Sequence, residues 1–320
     1  MAATNASRAR APHLSWQVSF VLLGAIWGCS FWWIKLGLEM LAPVQVAFVR
    51  LAVGGAALLI VLALTGSRLP RHLSTWRHLF VMAMLMNSIP FTLFAIGETH
   101  VSSVLAGIIN ASTPLTTLAV IMVAFPEEHP NVDRVLGLFV GFVGILVVVG
   151  VWEGLGAGEW TGIAACLGAV TCYGIAFPYS RRHLAGLPDS GVSLAAGQVL
   201  LGAAVLLPFG IASGLPGPIA VAPVLRLLGL GALGSGIAFA INYQVVRAAG
   251  PSTASTVTYL TPLFAIVVGA AFLGERVTWY EPVGGLVVLL GVALSQGRVR
   301  AAVAAVARWL RRPLPEMAED

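Results

Sequence analysis

The sequence predicts an all-α polytopic membrane protein with ten transmembrane helices built from two inverted five-helix repeats. Three observations predict it. The chain is 58% hydrophobic and only 10% charged, with a mean hydropathy of +0.91, whereas a soluble domain carries about 25% charged residues. It contains apolar runs near the ~20 residues that an α-helix needs to cross a bilayer. One half of the chain also repeats in the other. With Thr113-Pro114 laid on Thr261-Pro262, Ala106 falls on Ala254, Glu127 on Glu275 and Gly137 on Gly285. The same register pairs Phe91 with Phe239, Pro70 with Pro218 and Gly54 with Gly202. Matches of Ala or Gly come easily in an apolar chain, but a Thr-Pro pair followed at one distance by Glu does not, so the duplication organises the whole reading.

The spans follow in order. The polar, basic start MAATNASRARAPHLS predicts no cleavable signal. The first span, 16–36, places Trp27, Ser30 and Phe31 on one face, and its GAIWG stretch marks a close helix contact. The second, 44–65, carries Arg50, and the third, 77–97, aligns Asn87, Phe91, Phe94 and Glu98. The fourth, 101–125, holds Pro114 and the face Ser103, Gly107, Asn110, Pro114, Thr117. The fifth, 132–152, has the GLFVG pair of glycines. In the sixth, 159–180, Tyr173 and Phe177 share a face, and a two-residue shift sets Tyr173-Gly174 against Trp27-Gly28. The seventh, 190–213, places Gln198 in register with Arg50. The eighth, 224–247, aligns Ser235, Phe239, Asn242 and Val246. The ninth, 251–274, repeats the fourth with Pro251, Ser255, Thr258, Pro262 and Ala265, and with Tyr259 beside Thr258; 279–297 is the last. The domain boundaries expected are a tail over 1–15, repeats over 16–152 and 159–297, and a basic tail over 298–320. That tail reads either as a short helix on the anionic leaflet or as a tail obeying the positive-inside rule.

Basic residues set the orientation. With the N-terminus inside, Arg8, Arg10, Arg68, Arg71, Arg77, Arg134, Arg181, Arg182, Arg247, Arg298, Arg300, Arg308, Arg311 and Arg312 are cytoplasmic, against Lys35, Arg226 and Arg276 outside. Both termini are thus expected in the cytoplasm of a bacterial-type cell, with the chain in the inner membrane. The +5 net charge reports this asymmetry and predicts no nucleic-acid partner. Five spans per repeat is an odd number, so the second copy enters from the opposite side, the arrangement of secondary transporters that bind substrate near the midplane.

The chemistry expected follows from polar groups at membrane depth. Proline lacks an N–H, so Pro114 frees the carbonyl of Asn110 and Pro262 that of Thr258. Free carbonyls persist there only against protein or a wet cavity. The two faces are therefore read as cavity walls and Pro114 and Pro262 as hinges. Aromatic rings beside amide and hydroxyl groups make a site for a ligand with an apolar body and a polar head. The candidate lining is Trp27, Ser30, Phe31, Asn87, Phe91, Asn110, Tyr173, Phe177, Phe239, Asn242, Thr258 and Tyr259. Arg50, with Gln198 as its counterpart, is either an internal hydrogen-bond clamp or a carboxylate site; the structural reading is taken. No Asp or Glu falls mid-span, which favours facilitated movement over proton drive; Glu98 and His100 are the candidates for a proton site. Cys29, Cys166 and Cys172 are scattered and form neither a disulfide framework nor a zinc pattern. No Walker A, HExxH or GxSxG motif is present, so no enzyme activity, metal or cofactor is expected.

With these residues in hand, the chain resembles the drug/metabolite transporter superfamily, its EamA-type ten-helix branch. The carriers are Trp27-Gly28, Pro43 and Arg50, Thr113-Pro114, Gly274-Glu275 and the five-plus-five layout. Pro126 departs from the family's Gly before the acidic residue, where Gly274 obeys it. The resemblance implies an inner-membrane carrier of small metabolites working by alternating access, and within the branch it is similar to bacterial aromatic amino-acid exporters. Expected partners are a small-molecule substrate and the bilayer; the residues leave the oligomeric state open, and a monomer is compatible with them. The alternatives are a multidrug or other metabolite exporter, proton-coupled or not, and a non-transporting scaffold.

Overall fold

The structure is a computed structural model that describes residues 15–124, 132–154, 156–184, 186–214, 221–249 and 256–297. Pro126, Glu127, Pro218, Pro251, Ala254, Ser255 and both tails lie outside the described residues, which contain helices and turns and no strand. Ten helical spans run in order. Uninterrupted ones are α1 (Trp16–Gly37), α2 (Pro43–Thr65), α5 (Val132–Val149), α6 (Ala157–His183), α7 (Gly191–Ala212) and α10 (Tyr280–Ser295). The other four are built from pieces. The third, α3, is Leu73–Ala83, a π turn Met84–Ser88 and Ile89–Glu98. The fourth, α4, is Ser103–Asn110 and Thr113–Ala124. The eighth, α8, is Val221–Gly231, a π turn Ala232–Ile237 and Ala238–Ala249. The ninth, α9, is a short 3-10 turn Thr256–Tyr259 followed by Thr261–Leu273. Among the described residues eight spans are long and apolar enough to cross a membrane, and Val257–Leu273 and Tyr280–Ser295 are shorter apolar helices. The ninth is described from Thr256 onward, where a 3-10 turn precedes a helix that restarts at Thr261.

The interruptions obey the duplication. The π turns begin at Met84 and Ala232, and the breaks fall just before Thr113 and Thr261, each pair in the register read from the sequence. At both breaks the threonine replaces the donor that the following proline lacks: Thr113 Oγ1 donates to Asn110 O at 2.7 Å, and Thr261 Oγ1 to Thr258 O at 2.8 Å. The expected bend at Pro114 and Pro262 is therefore a restart, with each proline in the first turn of a new segment, where a missing N–H is tolerated.

Packing interleaves the halves. The main neighbour of α5 is α10, and that of α2 is α7; α1 lies on α8 and α9 while α6 lies on α3 and α4. Small residues let these backbones touch. A Cβ at Gly28 would meet Phe264 Cβ at 2.5 Å and Thr261 O at 2.7 Å on α9. Its counterpart Gly174 would meet Thr116 Oγ1 at 2.7 Å on α4. At the α5–α10 seam a Cβ on Gly291 would lie 2.4 Å from Gly141 N. Close approach without a hydrophobic drive between helices is what small residues provide in lipid.

Candidate functional site

Seven helices from both halves converge on one cavity. Trp27, Ser30, Phe31 and Ile34 come from α1 and Arg50 from α2; Met86, Phe91 and Phe94 come from α3. Asn110 and Thr113 enter from the break in α4, Tyr173 and Phe177 from α6, Phe239 from α8 and Thr258 from the break in α9. The space among them is about 610 Å³, counting the part open at its mouth. Aromatic rings brace each other around it. Phe31 meets Phe94 edge-on with centroids 5.3 Å apart, Phe94 lies 6.1 Å from Tyr173, and Trp27 lies 6.2 Å from Phe239. The Phe31–Phe94 and Trp27–Phe239 pairs are edge-to-face, a geometry that fixes ring orientation beyond what burial alone does.

The lining departs from the expected list in an informative way. Trp27, Ser30, Phe31, Phe91, Asn110, Tyr173, Phe177, Phe239 and Thr258 line the cavity; Asn87, Asn242 and Tyr259 do not. In place of Asn87 stands Met86. Counting back four residues from Phe91 on a regular helix gives Asn87, but the π turn Met84–Ser88 widens one turn by a residue and brings Met86 to that face. Asn87 turns instead into the helix seam, fully buried, where Gln198 Nε2 donates to its Oδ1 at 2.5 Å. Tyr259 reaches the end of α10, its hydroxyl accepting from Gln296 Nε2 at 2.8 Å. Asn242 is half-buried one turn past Phe239. Arg50, Thr113, Ile34, Met86 and Phe94 complete the lining; of these, Phe94 shares the aligned face of α3 and Thr113 adjoins the proline.

The two expected faces of α4 and α9 act mostly as a seam. A Cβ at Gly107 would lie 2.5 Å from Ala265 Cβ, so these faces pack on each other and only their breaks reach the cavity. Pro114 is half-buried, Pro262 is buried, and neither lines it.

Arg50 joins both readings given to it. Its Nε donates to Ser235 Oγ at 3.0 Å and Nη2 to Gly234 O at 3.4 Å, which ties α2 to the π turn of α8. Its guanidinium also lines the cavity, 3.7 Å from the centroid of the Phe91 ring. That is a close cation–π contact.

One end of the bundle, where α3 passes into α4, is tied by charged groups. Lys35 Nζ donates to Glu98 O at 2.6 Å and Val101 O at 2.9 Å. Glu275 takes Ser103 N at 2.9 Å, Ser103 Oγ at 2.9 Å and Val104 N at 3.1 Å. It thereby caps the first turn of α4 from the other half of the chain. Gly274 makes this approach available: at φ +63 it adopts a left-handed conformation that favours glycine. Glu98 itself is 0% exposed, and neither carboxyl oxygen has a hydrogen-bond partner.

Comparison with known proteins agrees with this architecture. The model of the EamA-like transporter family matches twice, over residues 14–150 and 160–296. The uncharacterized transporter YdfC of Bacillus subtilis is 27% identical, with 88% of this chain and 91% of that one covered. The uncharacterized inner membrane transporter YedA of Escherichia coli is 24% identical over 85% and 88% of the two chains. A crystal structure of another protein superposes with a TM-score of 0.64 over 93% of this chain and 99% of that one, at 17% identity, a likeness of fold. Two family matches on a helical bundle whose interruptions repeat in register leave one conclusion: the chain belongs to the EamA-like transporter family.

Proposed function

We propose that the protein carries amino acids with aromatic or other neutral side chains across the cell inner membrane by alternating access, without coupling to another ion. The observation that supports this most is the aromatic cavity at the meeting of the two halves, which offers apolar walls and a few polar groups to one small ligand. The repeats are 16–152 and 159–297; because they interleave, the moving parts are the helix pieces on either side of the breaks before Thr113 and Thr261, which flex beside Pro114 and Pro262. Both termini face the cytoplasm in this reading, which the arginine distribution supports. The end tied by Lys35 and Glu275 is then the outer one. The test is flux of labelled phenylalanine and leucine into proteoliposomes of the purified protein. Saturable flux without an imposed proton gradient supports the reading; flux of lipophilic cations with none for amino acids overturns it in favour of drug export.

A second reading, proton-coupled exchange, rests on Glu98. A carboxyl enclosed on all sides without a partner is a candidate proton carrier. The groups that act on it are Lys35 from α1, Arg50 from α2, Cys166 from α6 and Glu275. Collapse of flux by a protonophore under an imposed gradient, and its loss in Glu98→Gln, would select this reading.

A further inference from the structure

The polar groups of the cavity differ in how far their hydrogen bonds are used up. Ser30 Oγ donates to Ile26 O at 3.0 Å and Thr113 Oγ1 to Asn110 O, so both hydroxyl protons are spent on their own helices. Arg50 is different. A guanidinium has five N–H donors, and Arg50 directs hydrogen bonds to Ser235 Oγ and Gly234 O alone. It is 6% exposed, and among the described residues no carboxylate forms an ion pair with it. Asn110 is the complement: 8% exposed, on the same cavity, with a buried Oδ1 that has no partner. The lining contains no acidic side chain. The cavity thus presents surplus donors with a positive charge at one place and, at another, an amide whose enclosed oxygen lacks a partner, with aromatic rings between.

We propose that Arg50 binds the carboxylate of the substrate and Asn110 Oδ1 accepts from its ammonium group, a pairing that rests on the amino-acid reading above and gives it a direction. A carboxylate suits a buried guanidinium because the bond is charge-assisted and geometrically matched. An ammonium facing a neutral amide oxygen is held less strongly, so the carboxylate dominates recognition. The apolar body then lies against Phe91, Phe94, Phe239 and Trp27. A cation without a carboxylate meets the uncompensated charge of Arg50 and is turned away.

The experiment is a ligand series on the purified wild-type protein in nanodiscs, by calorimetry: phenylalanine, phenylalanine amide, phenylethylamine and phenylpyruvate. Loss of the carboxylate, in the amide and the amine, weakens binding by at least about a hundredfold, and loss of the ammonium, in the keto acid, by about tenfold. Arg50→Gln weakens phenylalanine by at least about tenfold and brings the amide level with it. Asn110→Leu brings phenylalanine down to the keto acid. Ser235→Ala removes the helix–helix bond of Arg50 and keeps the preference for phenylalanine over the amide. Amide or amine binding as well as phenylalanine overturns the proposal, as does a loss of preference in Ser235→Ala equal to that in Arg50→Gln. The wild-type series decides even if a variant does not fold. Phenylpyruvate bound with no amino acid bound or carried would sink the amino-acid reading while leaving the carboxylate at Arg50.

Discussion

Arg50 on α2 and Gln198 on α7 hold the same place in their repeats, and each reaches across to the π turn of the other half. Arg50 Nε donates to Ser235 Oγ, while Gln198 Nε2 donates to Asn87 Oδ1, and Asn87 and Ser235 are themselves in register. The backbone device is therefore duplicated faithfully. The chemistry is not. Gln198 is 1% exposed and faces only protein, whereas Arg50 lines the cavity and stacks on Phe91. Duplication supplied a symmetric frame, and one copy of the clamp was loaded with charge. The two repeats can share every structural bond and still present a ligand with an asymmetric site.

Exchanging the pair is the severest way to break this comparison. Arg50→Gln with Gln198→Arg keeps composition but moves the charge to a site with no access to the cavity. We expect amino-acid flux to fall to the level of empty liposomes, and the variant to lose on the order of 3 kcal/mol of stability in detergent, because the new charge is enclosed by protein and cut off from the cavity. Retained flux would mean that the side of the charge is immaterial. Gln198→Leu is milder: it strands Asn87, at a cost of about 1–3 kcal/mol in thermal unfolding, and Asn87→Leu added to it recovers most of that loss. Failure of the double variant to recover would show that the bond is more than mutual satisfaction. Ser235→Ala should lower stability by about 1 kcal/mol. Smallest are Thr113→Val and Thr261→Val, each about 0.5–1 kcal/mol, since each removes one hydroxyl bond to a proline-freed carbonyl. The two values should agree; a marked difference would show that the matched breaks carry unequal loads.

Much of this frame is legible in the sequence. Hydropathy marks the spans, and the Thr-Pro register predicts that Asn110 O and Thr258 O need a partner. What the residues do not announce is the π turn. Gly231, Gly234 and Gly236 at one turn and Pro90 after the other mark irregular helix but not the residue it adds, so regular spacing points to Asn87 where Met86 is the side chain on the cavity. Glu98 and Glu275 are legible only in part: their places at the ends of spans can be read, but not that one is enclosed completely and the other caps a helix far away in sequence. Such partners are set by tertiary approach, which periodicity along one chain does not contain. The candidate site was clearer because aromatic and amide residues at helical spacing are rare enough to stand out, though only the fold shows that Arg50 belongs among them.

The interleaving of the halves has a consequence for biogenesis. Each repeat is a unit of ancestry but no unit of assembly, for α5 finds its main neighbour in α10 and α1 rests on α8 and α9. During synthesis the first five helices must wait in the lipid with their glycine faces open and the first turn of α4 lacking Glu275. Cutting the chain between α5 and α6 should therefore leave two fragments that are stable only when made together, and nascent protein arrested before α9 should remain a ready target for membrane proteases.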